Sequence, residues 1–251
     1  MQVSRPVRVS RAALAALALI ALALSGCEST QEKSARLEAA AKREKAEHPA
    51  LAQKGLSIAR ASTQVHIVEA TVVHDSEGAA AAVTVTNTAS HALSSVPIAI
   101  TVRGASGQTV YQNNAPGLEA GLTSLSSLPA HSSLTWVDDQ VPTAGNPVSV
   151  SATAGEAPAT SGPEPHIAVQ NTRLLEASTG EVSGTVHNGS SAVQRQLVVY
   201  VVARRGGKIV AAGRAALAEV AAGASIPFHA FLVGTPHGAT LEASVPATTF
   251  G

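Results

Sequence analysis

The chain has 251 residues, 45% hydrophobic but only 2% aromatic, and a formal net charge of zero. That balance leaves no basic footprint for a general nucleic-acid binder. A single cysteine leaves no internal disulfide and no cysteine-based zinc site.

Arg5, Arg8 and Arg11 form a positive stretch ahead of the uncharged apolar run from Ala12 to Leu24. That run suits a signal peptide and is short of the ~20 residues of a spanning helix. It ends in Leu24-Ser25-Gly26-Cys27, which resembles the lipobox of a bacterial lipoprotein. The resemblance implies a signal peptide over 1–26, with Leu24, Ser25 and Gly26 recognised by the peptidase. It also implies a diacylglyceryl group on the Cys27 sulfur, with acyl chains of the palmitate kind. Two such chains hold a protein stably in a bilayer where one does not. The expected location is the cell envelope, on the outer face of the cytoplasmic membrane or in the outer membrane.

Residues 27–63 read as the lipidated cysteine followed by a helical tether. Ala, Glu, Lys and Arg dominate QEKSARLEAAAKREKAEH, and all are good helix formers. Ser29 or Thr30 can cap the helix, Glu38 and Lys42 form a favourable i,i+4 pair, and Pro49 should end it. Leu37 is the only large apolar residue before the proline, so the helix is expected to be a solvated spacer and not a coiled coil.

From Val65 the hydrophobic period becomes two, which predicts antiparallel strands. The remainder then repeats itself. TVTNTAS with Asn87 answers TVHNGSS with Asn188, and VPIAITVRGASGQTVY answers QLVVYVVARRGGKIVA. LPAHSSLTW with Trp136 answers VAAGASIPF with Phe228. The offset is 101 residues at the asparagines and 92 at the aromatics, so the first copy carries nine extra residues. The loop-like stretch from Gln112 to Gly117 is their expected place. The predicted organisation is a β-sandwich over 64–155, a Pro- and Ala-rich linker over 156–164 and a second sandwich over 165–251. Each copy has the size of an immunoglobulin-like domain, so the fold class is mainly β with two tandem sandwiches.

Copy two resembles an FxLYD-type domain, a small sandwich of bacterial lipoproteins. Asn188, Val199 to Arg204, Gly207, Gly223 to Ser225 and Phe228 carry the resemblance, and copy one follows the same plan. It covers most of residues 64–250 and implies no enzymatic activity.

Nothing in the sequence assembles a catalytic or metal site. His66 and His74, like His229 and His237, are eight apart, with no H-x-H and no H-E-x-x-H. Asp138-Asp139 reads as a polar turn leaving a strand. Asn188-Gly189-Ser190 spells a glycosylation acceptor but reads better as a hairpin turn. No nucleophile elbow or phosphate-binding glycine loop is present. No cofactor is expected. The expected role is a non-catalytic interaction module binding an envelope protein or wall polymer. The alternatives are an accessory subunit of an envelope transporter, secretion or sensor complex, and a small-molecule or metal carrier.

One strand singles itself out. Leu197, Val199 and Val201 alternate with Val198, Tyr200 and Val202, so both faces are apolar. A sandwich buries only one face of each strand. Val198, Tyr200 and Val202 are therefore the candidate interface, either to the first domain or to a partner, with Tyr200 as anchor.

Overall fold

Fourteen strands, all paired antiparallel, build residues 55–250, which the computed structural model describes. The expected signal peptide, the stretch Leu24 to Cys27 and the expected tether helix up to Pro49 lie outside the described residues. Residues 55–63, the end of the expected tether, are not helical and bridge to Gly155 through Ala61. The first seven strands are β1 (Val65–His74), β2 (Ala79–Asn87), β3 (Leu93–Gly104), β4 (Thr109–Gln112), β5 (Ser124–Leu128), β6 (Ser133–Val141) and β7 (Pro147–Ala154). They are followed by β8 (Ile167–Glu176), β9 (Glu181–Asn188), β10 (Gln194–Arg205), β11 (Lys208–Val220), β12 (Ser225–Phe231), β13 (Val233–Gly234) and β14 (Thr240–Ser244).

In the first sandwich, one sheet has the order β1-β2-β6. In the other, β3 is central, flanked by β4 and β5 on one edge and β7 on the opposite edge. Val83, Val85 and Trp136 of the first sheet meet Val96, Ile98 and Ile100 of the second in one apolar cluster. The second sandwich repeats the plan, with β12-β9-β8 facing β13-β11-β10-β14. Its core is Val182, Val186 and Phe228 against Leu197, Val199 and Val201. The alternation of inward and outward residues along β10 is what sorts its side chains between two sides.

The repeat extends to a buried polar device. Asn87 donates through Nδ2 to the carbonyls of His91, Leu128 and Pro129 at 2.9, 3.1 and 3.0 Å, and its Oδ1 accepts from the Ala89 N–H at 2.9 Å. Asn188 does the same to the carbonyls of Ala192, Val220 and Ala221, accepting from Ser190 N–H. Each asparagine thus ties the end of one strand to two crossing connections. The Asn188-Gly189-Ser190 turn is held from inside, by a side chain with no solvent exposure.

The extra residues of copy one interrupt its counterpart of β11. Thr101 pairs with Gln112 and Pro97 with Ser124, so four steps along β3 answer twelve along its neighbour. The excess forms an excursion from Asn113 to Thr123, ending in a single 3-10 turn at Ala120–Leu122. Asn113 closes the gap. Its side chain donates to the Ile98 and Leu122 carbonyls at 2.7 and 2.8 Å and accepts from Ile100 N–H at 2.8 Å. A side chain here does the work of a missing strand partner.

The stretch read as a linker is also built into the sheet. Ser94 N–H donates to the Pro158 carbonyl and Thr160 N–H to the Ala92 carbonyl, both at 2.9 Å, and Leu93 bridges Ala159. The segment continues past β7 along the edge of β3. Residues 246–249 do the equivalent beside β10, where Gln194 binds the backbone of Thr248 and Thr249. Composition alone suggests a flexible spacer, but the backbone is hydrogen-bonded. Limited proteolysis is therefore expected to spare 156–160 while the protein is folded, because cleavage needs a locally unpaired chain. Early cutting there, at the rate of an unstructured peptide, would contradict the pairing.

Candidate functional site

The outward side of β10 and β11 in the second sandwich lies against the outward side of β1-β2-β6 in the first. Val198, Tyr200 and Val202 sit on this side of β10, with Ala212 and Arg214 opposite them on β11. Tyr200 and Val202 are each 2% exposed and belong to the apolar cluster of the first sandwich, together with Ile209 and Ala212. Val198 is half-buried and packs on the same cluster. The apolar face singled out from the sequence is thus covered within the chain, by the first domain.

The receiving face is made of small residues. Ala80, Ala82 and Val137 have no exposure, and Thr84 pairs with Thr135 through their hydroxyls at 2.9 Å. The repeat offsets place Glu181, Ser183 and His229 at the matching positions of copy two. There His229 Nδ1 lies 2.9 Å from a Glu181 oxygen, and neighbouring Phe231 is 61% exposed. The Ala and Val centre of this face can be covered without desolvating a polar group. The matching face of copy two carries Glu181, Ser183 and His229, whose desolvation would cost free energy.

The excursion of copy one clamps the joint. Gly121, in its 3-10 turn, offers one carbonyl to two donors: Trp136 Nε1 at 2.8 Å and the Tyr200 hydroxyl at 3.3 Å. A Cβ at Gly121 would lie 2.9 Å from a Val198 methyl, so the approach requires glycine.

Three charged contacts fix the register. Arg214, whose side chain is 8% exposed, donates to Asp139 at 2.8 Å and to Glu119 at 3.2 Å. Burial pulls its pKa down, but the bonds to Asp139 and Glu119 outweigh that and the net shift is upward, so it stays charged. Arg204 spans from Glu242 at 3.0 Å to Glu69 of the first sandwich at 2.8 Å. Asp75 Oδ2 accepts from Gly234 N–H at 2.6 Å. Burial raises the pKa of the Tyr200 hydroxyl, which remains a neutral donor. Such pairs specify geometry more than they add stability.

Asp138 and Asp139 are split by the strand alternation. Asp139 faces the joint, whereas Asp138 turns inward and accepts from the Tyr111 hydroxyl at 2.8 Å. Burial raises the Asp138 pKa. Among the described residues, no cluster of three or more His, Cys, Asp and Glu is placed to hold a metal ion. Nor is any helix there long and apolar enough to cross a membrane.

The joint can be tested by combining Val198→Ser, Tyr200→Thr and Val202→Ser, which keeps strand propensity. The two sandwiches are expected to tumble independently in NMR relaxation, with each core still folded. The loss should be about 2–5 kcal/mol in apparent stability, as for a large-to-small substitution in a core. Unchanged common tumbling would show that the charged contacts alone hold the joint.

Beyond Tyr200 the seam opens into a cleft of about 780 Å³. Ser95, Ser124 and Ser126 line it from the first sandwich, and Gln196, Val198 and Leu217 from the second. Ser95 and Gln196 occupy equivalent positions in the two copies, and both have left-handed backbones, with φ of 49° and 52°. A second recess between Thr84, Thr135 and Arg204 encloses about 190 Å³.

No protein-family model matches the chain, and no curated protein matches it. Among solved structures it is similar to the exo-chitosanase CsxA of Amycolatopsis orientalis, at 16% identity and a TM-score of 0.26, over 75% of this chain and 26% of that one. A variant of the same enzyme in complex with PNP-beta-D-glucosamine gives 16% identity and a TM-score of 0.25, over 72% of this chain and 26% of that one. The chain spans about a quarter of the enzyme's length.

Proposed function

We propose that this protein is a non-catalytic, lipid-anchored module of the cell envelope that presents two rigidly joined β-sandwiches to an envelope protein or wall polymer. The observation that carries the reading is the joint. The apolar face of β10 is covered internally, and the Arg214 and Arg204 contacts lock the two bodies in one register. A rigid double sandwich suits holding a surface at a fixed distance and orientation. The leader, the lipobox and the FxLYD resemblance supply the anchor and the compartment. The location follows from Cys27, as the attachment point of the diacylglyceryl group, with no further cofactor.

Two experiments test this. Wild-type protein should begin at Cys27 and partition into detergent, while Cys27→Ala should accumulate as an unlipidated precursor. A Cys27→Ala chain that is still processed and firmly membrane-held would overturn the anchor. Mild crosslinking in intact cells should recover a specific envelope protein or wall fragment with the wild type. Recovery of nothing above the level seen with an unrelated anchored sandwich would overturn the interaction role.

A further inference from the structure

We infer that the cleft at the seam of the two sandwiches is a binding site for an extended, uncharged peptide segment with small aliphatic side chains, which pairs with an open strand edge. The inference rests on the proposed interaction role and names the chemistry of the partner.

The cleft is continuous with the joint and shares Gly121, Val198 and Tyr200 with it, so its walls are already fixed. Its size of about 780 Å³ is that of a ligand site, and such sites favour seams between domains.

Two strands beside it have unpaired edges. Among the described strands, β5 pairs only with β3. The half of β11 from Arg214 to Val220 pairs only with β10, since β13 reaches no further than Ala211 and Ala212. Ser124 and Ser126 of β5, and Ala216, Leu217 and Ala218 of β11, all line the cleft. An open edge offers alternating N–H and C=O groups that only another extended backbone matches in full.

Side-chain chemistry selects among extended backbones. Val198, Ala216 and Ala218 make the floor aliphatic. Charge of either sign is already engaged, because Arg195 pairs with Glu219 and Glu119 with Arg214. A charged segment would find no unpaired counterion. A glycan would need a ring face to stack on, and the one aromatic lining residue, Tyr200, is 2% exposed. The hydroxyls of Ser95 and Thr249 and the amide of Gln196 can both donate and accept, which suits Ser, Thr or amide groups on the partner.

The test uses the full lipidated chain in detergent micelles. The probe is a pool of end-blocked heptapeptides of Ala, Val, Ser and Thr, with an N-acetylglucosamine tetramer as the comparison ligand. Trp136 is the only tryptophan, and its N–H is held by the Gly121 carbonyl on the cleft wall, so its fluorescence reports occupancy. Amide resonances of Ser124, Ser126, Ala216 and Ala218 give a second readout. The peptide pool is expected to give a saturable change in both. Ala216→Arg with Ala218→Arg should weaken binding at least about tenfold without moving the melting temperature. Thr249→Arg blocks from the C-terminal segment, in case the double variant folds poorly. No saturable change at millimolar peptide, undiminished binding in the blocked variants, or a response to the sugar alone would each overturn the inference. If the peptide saturates the cleft while crosslinking recovers no partner, the cleft stands and the envelope role fails.

Discussion

Replacing Trp136 with Ala is expected to destabilise the protein by about 3–5 kcal/mol, a large share of the roughly 5–15 kcal/mol that holds a typical domain together. Aromatics make up only 2% of the chain, so its core is a mosaic of Val, Leu, Ile and Ala. Trp136 has no exposure and heads the fully buried side chains by volume. It stands opposite Val83 across the β2–β6 pairing and reaches to the Gly121 carbonyl at 2.8 Å. Truncation would leave a void that stiff aliphatic neighbours cannot collapse into, and would remove one of the two donors at Gly121. Trp136→Phe separates these effects. It keeps most of the ring and loses the N–H, so about 1–2 kcal/mol is expected. Equilibrium urea unfolding measures both. A loss of only a few tenths for Trp136→Ala would place the indole outside the core.

Much of this architecture was legible because a two-sheet fold writes its faces into the chain with period two. The offset between the copies predicts extra residues in copy one near Gln112 to Gly117, and the excursion runs from Asn113 to Thr123, with Gly121, which meets Tyr200, beyond the expected stretch. Val198, Tyr200 and Val202 stood out because a strand apolar on both sides must have two coverings. Other features left weaker marks. Ala79 to Ala82 carry no alternation, because sheets cover both of their sides and all four are fully buried. The partners of Arg214 lie 75 and 95 residues away, and no local spacing announces such pairings. Nothing in the sequence therefore marks Glu119 and Asp139 as joint residues. Asn113 sits in a stretch whose composition predicts only a loop. Its signal would have been an amide side chain at the point where one copy breaks a strand that the other keeps whole. The linker composition, rich in Pro and Ala, concealed a segment whose backbone is paired.

Asn188→Asp is expected to cost the second sandwich about 3 kcal/mol or more at neutral pH, although it changes a single group and almost no volume. In the repeat, Asn87 and Asn188 served first as landmarks. Their side chains turn out to hold the two copies by the same four bonds. The amide NH2 of Asn188 donates to the carbonyls of Ala192, Val220 and Ala221 at 2.8, 3.0 and 3.1 Å. A carboxylate cannot donate, so three carbonyl oxygens would face a negative charge with no solvent exposure. The introduced acid would resist ionisation, and its folded-state pKa would lie above the unfolded value of about 3.9. The sign then follows. Below the unfolded pKa the acid is neutral in both states and the charge penalty vanishes. As pH rises through the folded pKa, the penalty grows to its full value. Asn188→Asp should therefore be markedly worse at neutral pH than near pH 4. Asn188→Ala should lose about 2–3 kcal/mol with little dependence on pH, since it only leaves the carbonyls unpaired. Urea unfolding of both variants at the two pH values, with Asn87→Asp as the matching change in copy one, measures the difference. An Asn188→Asp protein within about 0.5 kcal/mol of the wild type at neutral pH would mean that the three carbonyls find water instead, and that the asparagine is not what ties the turn to its strand.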